Sequence, residues 1–288
     1  MKPPRFDYHD PQTVAEVIGL LGKLDNARLL AGGQSLMPLL NMRLAAPEHI
    51  VDLNGIAALS YIKEERDALV IGAMTRQRDV DLDERIRRRC PLLHEAVLQV
   101  GHRQTRNRGT VGGSLCQLDP SAELVAVAAA LDAVLTVEGP HGAREIPFAQ
   151  FPAGLMTPAL RGGELLTSAR FPLWRKGHGF AFVEFSRRHG DFAIVSAAAL
   201  LEEDGAGNIT RASVTLGGIA PAPVRAREVE KMLAGARASA ALFRAAGEAC
   251  RKLEAMEDVH VTAAYRHQLA AVLSRRALEK AHERVAHH

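Results

Sequence analysis

Two glycine pairs constrain this chain most. Gly32-Gly33 lies in Ala31-Gly32-Gly33-Gln34-Ser35-Leu36, between a buried-strand pattern over 28–31 (with Leu30) and a helical pattern over 35–43. Ser35 is placed to cap that helix, and Pro38 lies in its first turn, where proline is tolerated. Glycines at such a junction reach positive φ and let backbone approach a ligand closely. The helix N-terminus that follows offers unshared amides and partial positive charge, which suit a phosphate. The same residues also suit a plain tight turn. The second pair lies in Gly109-Thr110-Val111-Gly112-Gly113-Ser114-Leu115, read as a loop fed by a polar loop over 103–109. An apolar helix over 121–131 follows, begun by Pro120 and Ser121. Neither segment has the G-x-G-x-x-G spacing of a Rossmann turn or the Gly-Lys-Ser/Thr of a P-loop. Two such segments in one chain favour a long diphosphate cofactor gripped from two sides.

The surroundings alternate strand and helix. Helical spacing over 11–24 precedes the first glycine pair, and a strand over 49–53 follows it. Two strands, 61–65 and 69–73, flank a charged turn. A second unit starts near Thr75 with a helix over 83–100 that Pro91 should break, and holds strands at 134–137 and 144–147. A glycine- and proline-rich stretch, 152–163, marks the approach to a third unit, with a strand over 164–171. Segments 180–185, 193–201 and 209–217 suggest an antiparallel sheet, with a hairpin turn at 204–208. Helices over 226–233, 240–254 and 263–286 close the chain. Strands followed by helices point to the α+β class. At 288 residues, with domains of about 100–200, two or three domains are expected.

Charge and cysteines exclude several functions. Net charge is +3 from 36 basic and 33 acidic groups, evenly spread, which argues for neither nucleic acid nor a membrane surface. The basic residues of the last helix are interleaved with Glu279 and Glu283 and read as a solvated face. Residues 1–10 lack the apolar core of a secretory signal, and no apolar run reaches membrane-spanning length. Cys90, Cys116 and Cys250 are too scattered for a disulfide framework, so a reducing cytoplasm is expected. They are also too few for an iron–sulfur cluster, which takes about four thiolates. Any metal centre would therefore sit on another chain. The histidines are mostly solitary, and the terminal His287-His288 pair is too short to argue a metal site.

Beside the second glycine pair, Asp119 and Glu123 could bind the hydroxyls of a ribityl or ribose chain. Structural duty accounts for them equally well: a helix cap for Asp119, a favourable first-turn charge for Glu123.

These residues carry a resemblance. Ala31-Gly32-Gly33-Gln34-Ser35-Leu36, Thr110-Val111-Gly112-Gly113-Ser114 and Asp119-Pro120-Ser121-Ala122-Glu123-Leu124 are similar to segments of the FAD-binding medium subunits of molybdenum hydroxylases. That family includes the carbon monoxide dehydrogenase, xanthine dehydrogenase and N-heteroaromatic oxidoreductase types. The likeness continues, collinear, through Ser186-Arg187-Arg188-His189-Gly190-Asp191-Phe192-Ala193 and the stretch 217–226 to 265–270 and 275–278.

The resemblance implies a two-part FAD-binding region of the PCMH/xanthine dehydrogenase type, residues 1–56 and 57–175. A C-terminal α+β domain, 176–288, closes near the flavin. It implies that the glycine segments surround the pyrophosphate and that Gln117 lies near the ribityl chain. Leu165 and Leu166 would lie near the ring edge, with Asp191 and Phe192 beside the isoalloxazine. Taken as a core aromatic instead, Phe192 would need no flavin. Ser114 stands where many relatives have asparagine, and Glu184 near where some have a lysine close to the flavin. A carboxylate there would disfavour negative charge on reduced flavin. Gln34 lacks the imidazole through which distant enzymes of similar fold attach FAD, so noncovalent FAD is expected.

No catalytic residue is assigned to this chain. Substrate would be oxidised at molybdopterin on a large subunit, and electrons would arrive through [2Fe-2S] clusters on a small subunit. They would leave the FAD for an external acceptor, in a dimer of heterotrimers. The alternative is a self-contained FAD-dependent oxidase or dehydrogenase with His189 or Asp191 as base; a non-catalytic dinucleotide-binding protein stands behind it.

Overall fold

The computed structural model describes residues 2–286, so the His287-His288 pair lies outside it. The alternating start of the chain builds a parallel sheet. β1 (Asp7–His9), α1 (Val14–Leu21), β2 (Ala27–Leu30), α2 (Leu36–Asn41) and β3 (His49–Asp52) follow in order, with β3 between β1 and β2. Parallel neighbours need crossover connections, which α1 and α2 supply. A capping box of Thr13 and Glu16 starts α1. Leu30 pairs with Asp52, so the carboxyl ends of β2 and β3 open side by side.

The second unit is an antiparallel sheet with helices on it. β4 (Ile62–Glu64) and β5 (Ala68–Gly72) form the expected hairpin. Six helices intervene: α3 (Gln77–Leu82), α4 (Glu84–Arg89), α5 (Pro91–Gln99), α6 (Arg103–Arg108), α7 (Val111–Gln117) and α8 (Glu123–Ala130). Strands β6 (Val134–Gly139) and β7 (Gly142–Pro147), a small hairpin of β8 (Pro152–Gly154) and β9 (Thr157–Pro158), and β10 (Leu165–Pro172) complete it. The sheet order is β4-β5-β10-β6-β7. The stretch 152–163 therefore does not open a third unit. It returns the chain to the middle of the second sheet, where β10 pairs with both β5 and β6.

Three local expectations are corrected here. Residues 103–108 form a helix, not a loop; α6 buries no residue fully, so its sequence shows no apolar period to read. Gly112 and Gly113 lie in a helix of their own ahead of α8, not in a loop: they are inside α7, capped when Thr110 Oγ1 accepts from the Gly113 amide at 3.0 Å. Glycine disfavours a helix locally, but close packing requires it: a Cβ on Gly112 would stand 2.5 Å from the Ala73 Cβ and 2.8 Å from its carbonyl oxygen. Helix α8 starts at Glu123, because Asp119 and Ser121 form a turn of their own in which Asp119 Oδ1 accepts from the Ser121 amide (2.9 Å). The helix over 83–100 does break at Pro91, which becomes the first residue of α5.

The third unit is the antiparallel sheet β11 (Gly179–Phe185), β12 (Val195–Glu203), β13 (Ile209–Gly217) and β14 (Val224–Arg225). Helices α9 (Arg227–Leu233), α10 (Ala240–Cys250) and α11 (Ala263–Glu283) cover one face. The other face joins the core of the second unit through Phe182, Ala198 and Leu200. Both faces being buried, β12 reads as a continuous apolar run instead of an alternating one. Ser213 Oγ donates to the Ala130 carbonyl (2.7 Å), and Glu95 of α5 binds Lys280 of α11 and Arg284 just past its end (2.7 Å). Among the described residues, no helix is long and apolar enough to cross a membrane.

Candidate functional site

The two glycine pairs meet in space. At the end of β2, past Leu30, Gly33 adopts a φ of +71°. A Cβ on Gly32 would stand 2.8 Å from both the Arg108 carbonyl carbon and the Gly109 Cα. A Cβ on Gly113 would come 3.4 Å from the Ala31 Cβ. Backbone thus lies on backbone where α6 runs into α7, and Gly32 leaves no space for a larger residue.

The two segments offer different groups. Among the described residues, no hydrogen bond uses the amides of Gly32, Gly33, Gln34 or Ser35 as donors. Helix α2 is only six residues long and Ser35 makes no side-chain cap bond, so the donor set is this run of amides more than a helix dipole. Leu36 opens α2 half-buried, and the exposed Gln34 folds its side-chain amide back onto the Gly32 carbonyl (3.1 Å). On the second segment the amides are already taken: Val111 donates to Thr75 O (3.0 Å), Gly112 to Ala73 O (2.8 Å) and Gly113 to Thr110 Oγ1 (3.0 Å). The second pair therefore brings α7 close, while the first presents donors. Ser114 and Gln117 lie half-buried on α7.

Beyond α7 stands a set of poorly compensated carboxyls. Burial raises the pKa of Asp119, offset in part by the Ser121 amide. Glu123 is 5% exposed, and burial followed by the neighbouring Glu184 pushes it up to about 8. Burial pushes Glu184 up to about 7, and its Oε2 has no hydrogen-bond partner. Glu184, Ser196 and Gly217 form one row across β11, β12 and β13. That row faces the start of α8: a Cβ on Gly217 would stand 3.4 Å from the Pro120 carbonyl and 3.3 Å from the Ala126 Cβ. Two carboxyls so placed in a low-dielectric interior cannot both ionise cheaply. Both therefore hold a proton to higher pH than an ordinary glutamate.

The loop after β11 reaches the opposite end of α6. Gly190 has a φ of +87°, and a Cβ there would stand 2.5 Å from His102 Cε1, at the start of α6. Asp191 Oδ2 lies 4.0 Å from Arg187 Nε. Phe192 is 64% exposed, which removes the core-aromatic reading. Helix α6, about 9 Å long at 1.5 Å per residue, joins this loop to the glycine junction. Leu165 and Leu166 are placed differently. Both are buried in β10, Leu165 in the core under the first sheet and Leu166 in that of the second. Their neighbour Glu164 pairs with Arg144 (2.8 Å), which holds its carboxyl down at about 2.

Asn54, Arg76 and Arg108 also gather at the glycine junction, although no motif marks them. Asn54 follows a strand in a commonplace Asn-Gly turn, Arg76 precedes α3 and Arg108 ends α6; only the tertiary contact unites them.

Comparison with known proteins agrees over the whole chain. Residues 4–174 match the family described as the FAD binding domain in molybdopterin dehydrogenase, and residues 180–281 match the CO dehydrogenase flavoprotein C-terminal domain. The chain is 38% identical to the 6-hydroxypseudooxynicotine dehydrogenase complex subunit alpha of Paenarthrobacter nicotinovorans, covering 98% of this chain and 96% of that one. It is 35% identical to the carbon monoxide dehydrogenase medium chain of Hydrogenophaga pseudoflava, over 99% and 100% of the two chains. The crystal structure of quinoline 2-oxidoreductase from Pseudomonas putida 86 superposes with a TM-score of 0.94 at 33% identity, over 98% of this chain and 99% of that one.

Proposed function

Because the chain belongs to the family of FAD-binding medium subunits of molybdenum-containing dehydrogenases, we propose that it holds FAD across the junction of its two glycine segments. It is the flavoprotein subunit of a heteromeric oxidoreductase whose substrate is oxidised on another subunit. The FAD, when bound, takes up electrons singly and releases them in pairs, chemistry that side chains cannot supply.

The residues fit such a group. The amides from Gly32 to Ser35 are donors for a phosphate, and Gly32 lets that segment lie directly on the Arg108–Gly109 backbone. Leu30, Ala31, Gln34 and Leu36 frame that run, and Thr110, Gly112, Gly113 and Ser114 bring the start of α7 against it. Gln117, Asp119 and Glu123 follow, with polar groups for ribityl hydroxyls. Asp191 and the exposed ring of Phe192 serve the isoalloxazine from the third unit. By the family likeness Leu165 and Leu166, buried in β10, serve near the ring edge. The divisions 1–56, 57–175 and 176–288 serve as two FAD-binding parts and a closing domain.

Relatives named as subunits and medium chains make this chain one member of a multi-subunit complex. Its partners are a small iron–sulfur subunit that delivers electrons and a large molybdopterin subunit, in a dimer of heterotrimers. An external acceptor removes the electrons, and the complex works in the cytoplasm. Relatives named for carbon monoxide and for 6-hydroxypseudooxynicotine match this chain at similar identity, in keeping with substrate choice by the large subunit.

The observation that carries the proposal is the run of amides without intrachain partners, beside a contact only glycine allows. The test is an absorption spectrum of the purified full chain before and after acid precipitation. FAD released into the supernatant supports the reading. A colourless protein that cannot be reconstituted with FAD overturns it. Flavin retained in the precipitate means covalent attachment and favours the self-contained enzyme.

A further inference from the structure

A diphosphate diester is an anion at each phosphoryl group, yet neither glycine segment contains a cation. Backbone amides alone would face that charge. The structure places a cation at the seam. Arg76, the residue before α3, donates from Nη1 to the Arg108 carbonyl (2.5 Å) and from Nη2 to Asn54 Oδ1 (2.5 Å). The Arg108 carbonyl is the group that Gly32 lies against. Arg76 also pairs with Thr110 in an isolated antiparallel bridge. Asn54 completes the link by donating from Nδ2 to the Ala31 carbonyl (3.0 Å).

One chain of contacts therefore runs from the first glycine segment, through Asn54 and Arg76, to the second. Its far end is anchored. Asp52 accepts from the Asn54 amide (2.9 Å) and from the Tyr8 hydroxyl (2.6 Å), a bond that pushes the Tyr8 phenol up to about 12. Both acceptors of Arg76 are uncharged. Burial, and then the charge of Arg108, pull Arg76 below the ordinary arginine value, ahead of the opposing influence of Asp79 and Asp52. The Arg76 guanidinium thus stands at the edge of the amide run with the positive charge of Arg108 near enough to disfavour its own, an arrangement that an anion stabilises. A planar guanidinium can bridge separate oxygens in a fixed fork, which an ammonium cannot do.

We propose that Arg76 and Asn54 form a strut that sets the gap between the two glycine segments, with Arg76 the cation that serves the cofactor diphosphate. Asn54 is a positioning residue in this role, acting through Arg76, and Arg76 is the group that meets the diphosphate. The inference rests on the FAD reading above.

The test uses the full chain stripped of flavin, with FAD and riboflavin as probes; riboflavin lacks the diphosphate. Affinity is read by quenching of flavin fluorescence, and thermal melting is recorded without flavin. Arg76→Ala should weaken FAD about 10- to 100-fold, as expected for losing charge-assisted hydrogen bonds. It should change riboflavin affinity less than about threefold. Arg76→Lys should recover only part of the loss. Asn54→Ala should weaken FAD, and the Asn54→Ala/Arg76→Ala double variant should be no weaker than Arg76→Ala alone, because the two act as one unit. Wild-type protein that binds no FAD would overturn the functional reading itself. Wild-type binding with unchanged FAD affinity in Arg76→Ala would overturn the strut alone. So would equal losses for FAD and riboflavin together with a lower melting temperature. If Arg76→Ala does not fold, Asn54→Ala decides, and unchanged FAD affinity there overturns the proposal.

Discussion

Replacing Glu123 by glutamine isolates the electrostatics of the buried carboxyl row. Burial, then Glu184, holds the Glu123 carboxyl at about 8 in the folded chain, against 4.5 as its ordinary value. Between those two pH values the native state keeps a proton that the unfolded chain has released. Its contribution to stability is complete below about 4.5 and is lost as pH rises toward 8, at about 1.4 kcal/mol per pH unit. Glutamine does not titrate. From pH 5.5 to 8.5 the stability of Glu123→Gln should therefore rise relative to wild type by about 3 kcal/mol. The assay is urea denaturation of the flavin-free full chain at both pH values, with the denaturant slope checked for constancy. Glu184→Gln should move in the same direction by less, since Glu184 is only half-buried. A wild-type-to-variant difference that stays flat with pH, or shrinks as pH rises, would refute the reasoning.

Three further outcomes follow from the same geometry. Gly32→Ala drives a Cβ against the Arg108–Gly109 backbone, so the purified variant should lose its flavin absorption; full retention would show that the two segments can part. Arg266, 4% exposed, donates to the carbonyls of Ile194 (2.5 Å) and Gly218 (2.6 Å), so Arg266→Met should cost about 3 kcal/mol in chemical denaturation by leaving buried acceptors unpaired. Glu164 is held at about 2, chiefly by Arg144, so its contribution is present above about 4.5 and lost as pH falls toward 2; melts of Glu164→Gln should show a cost of about 1 kcal/mol at pH 7 that vanishes in acid.

Local signals carried much of the fold. The paired strands around 204–208 and 139–142 were legible because alternation and turn residues are read over a few neighbours. The break before Pro91 was legible because proline lacks the amide a helix interior needs. Helix α6 was not, since a helix without a buried face leaves no apolar period. Helix α7 was misread because glycine's weak propensity argues for a loop, whereas the approach of Ala73 makes glycine the residue that fits.

The sequence alone determined the α+β class and the family, through an ordered set of short motifs. It also determined that this chain lacks the cysteines for a cluster of its own. These are properties of composition and near-neighbour order. Tertiary structure decided that the two glycine pairs touch, that one presents amides while the other takes them up in a helix, and that Arg76 and Asn54 bridge them. It also decided that Glu123 and Glu184 share one buried row. Those outcomes depend on contacts between residues distant in the chain, and on the low dielectric that burial creates around them.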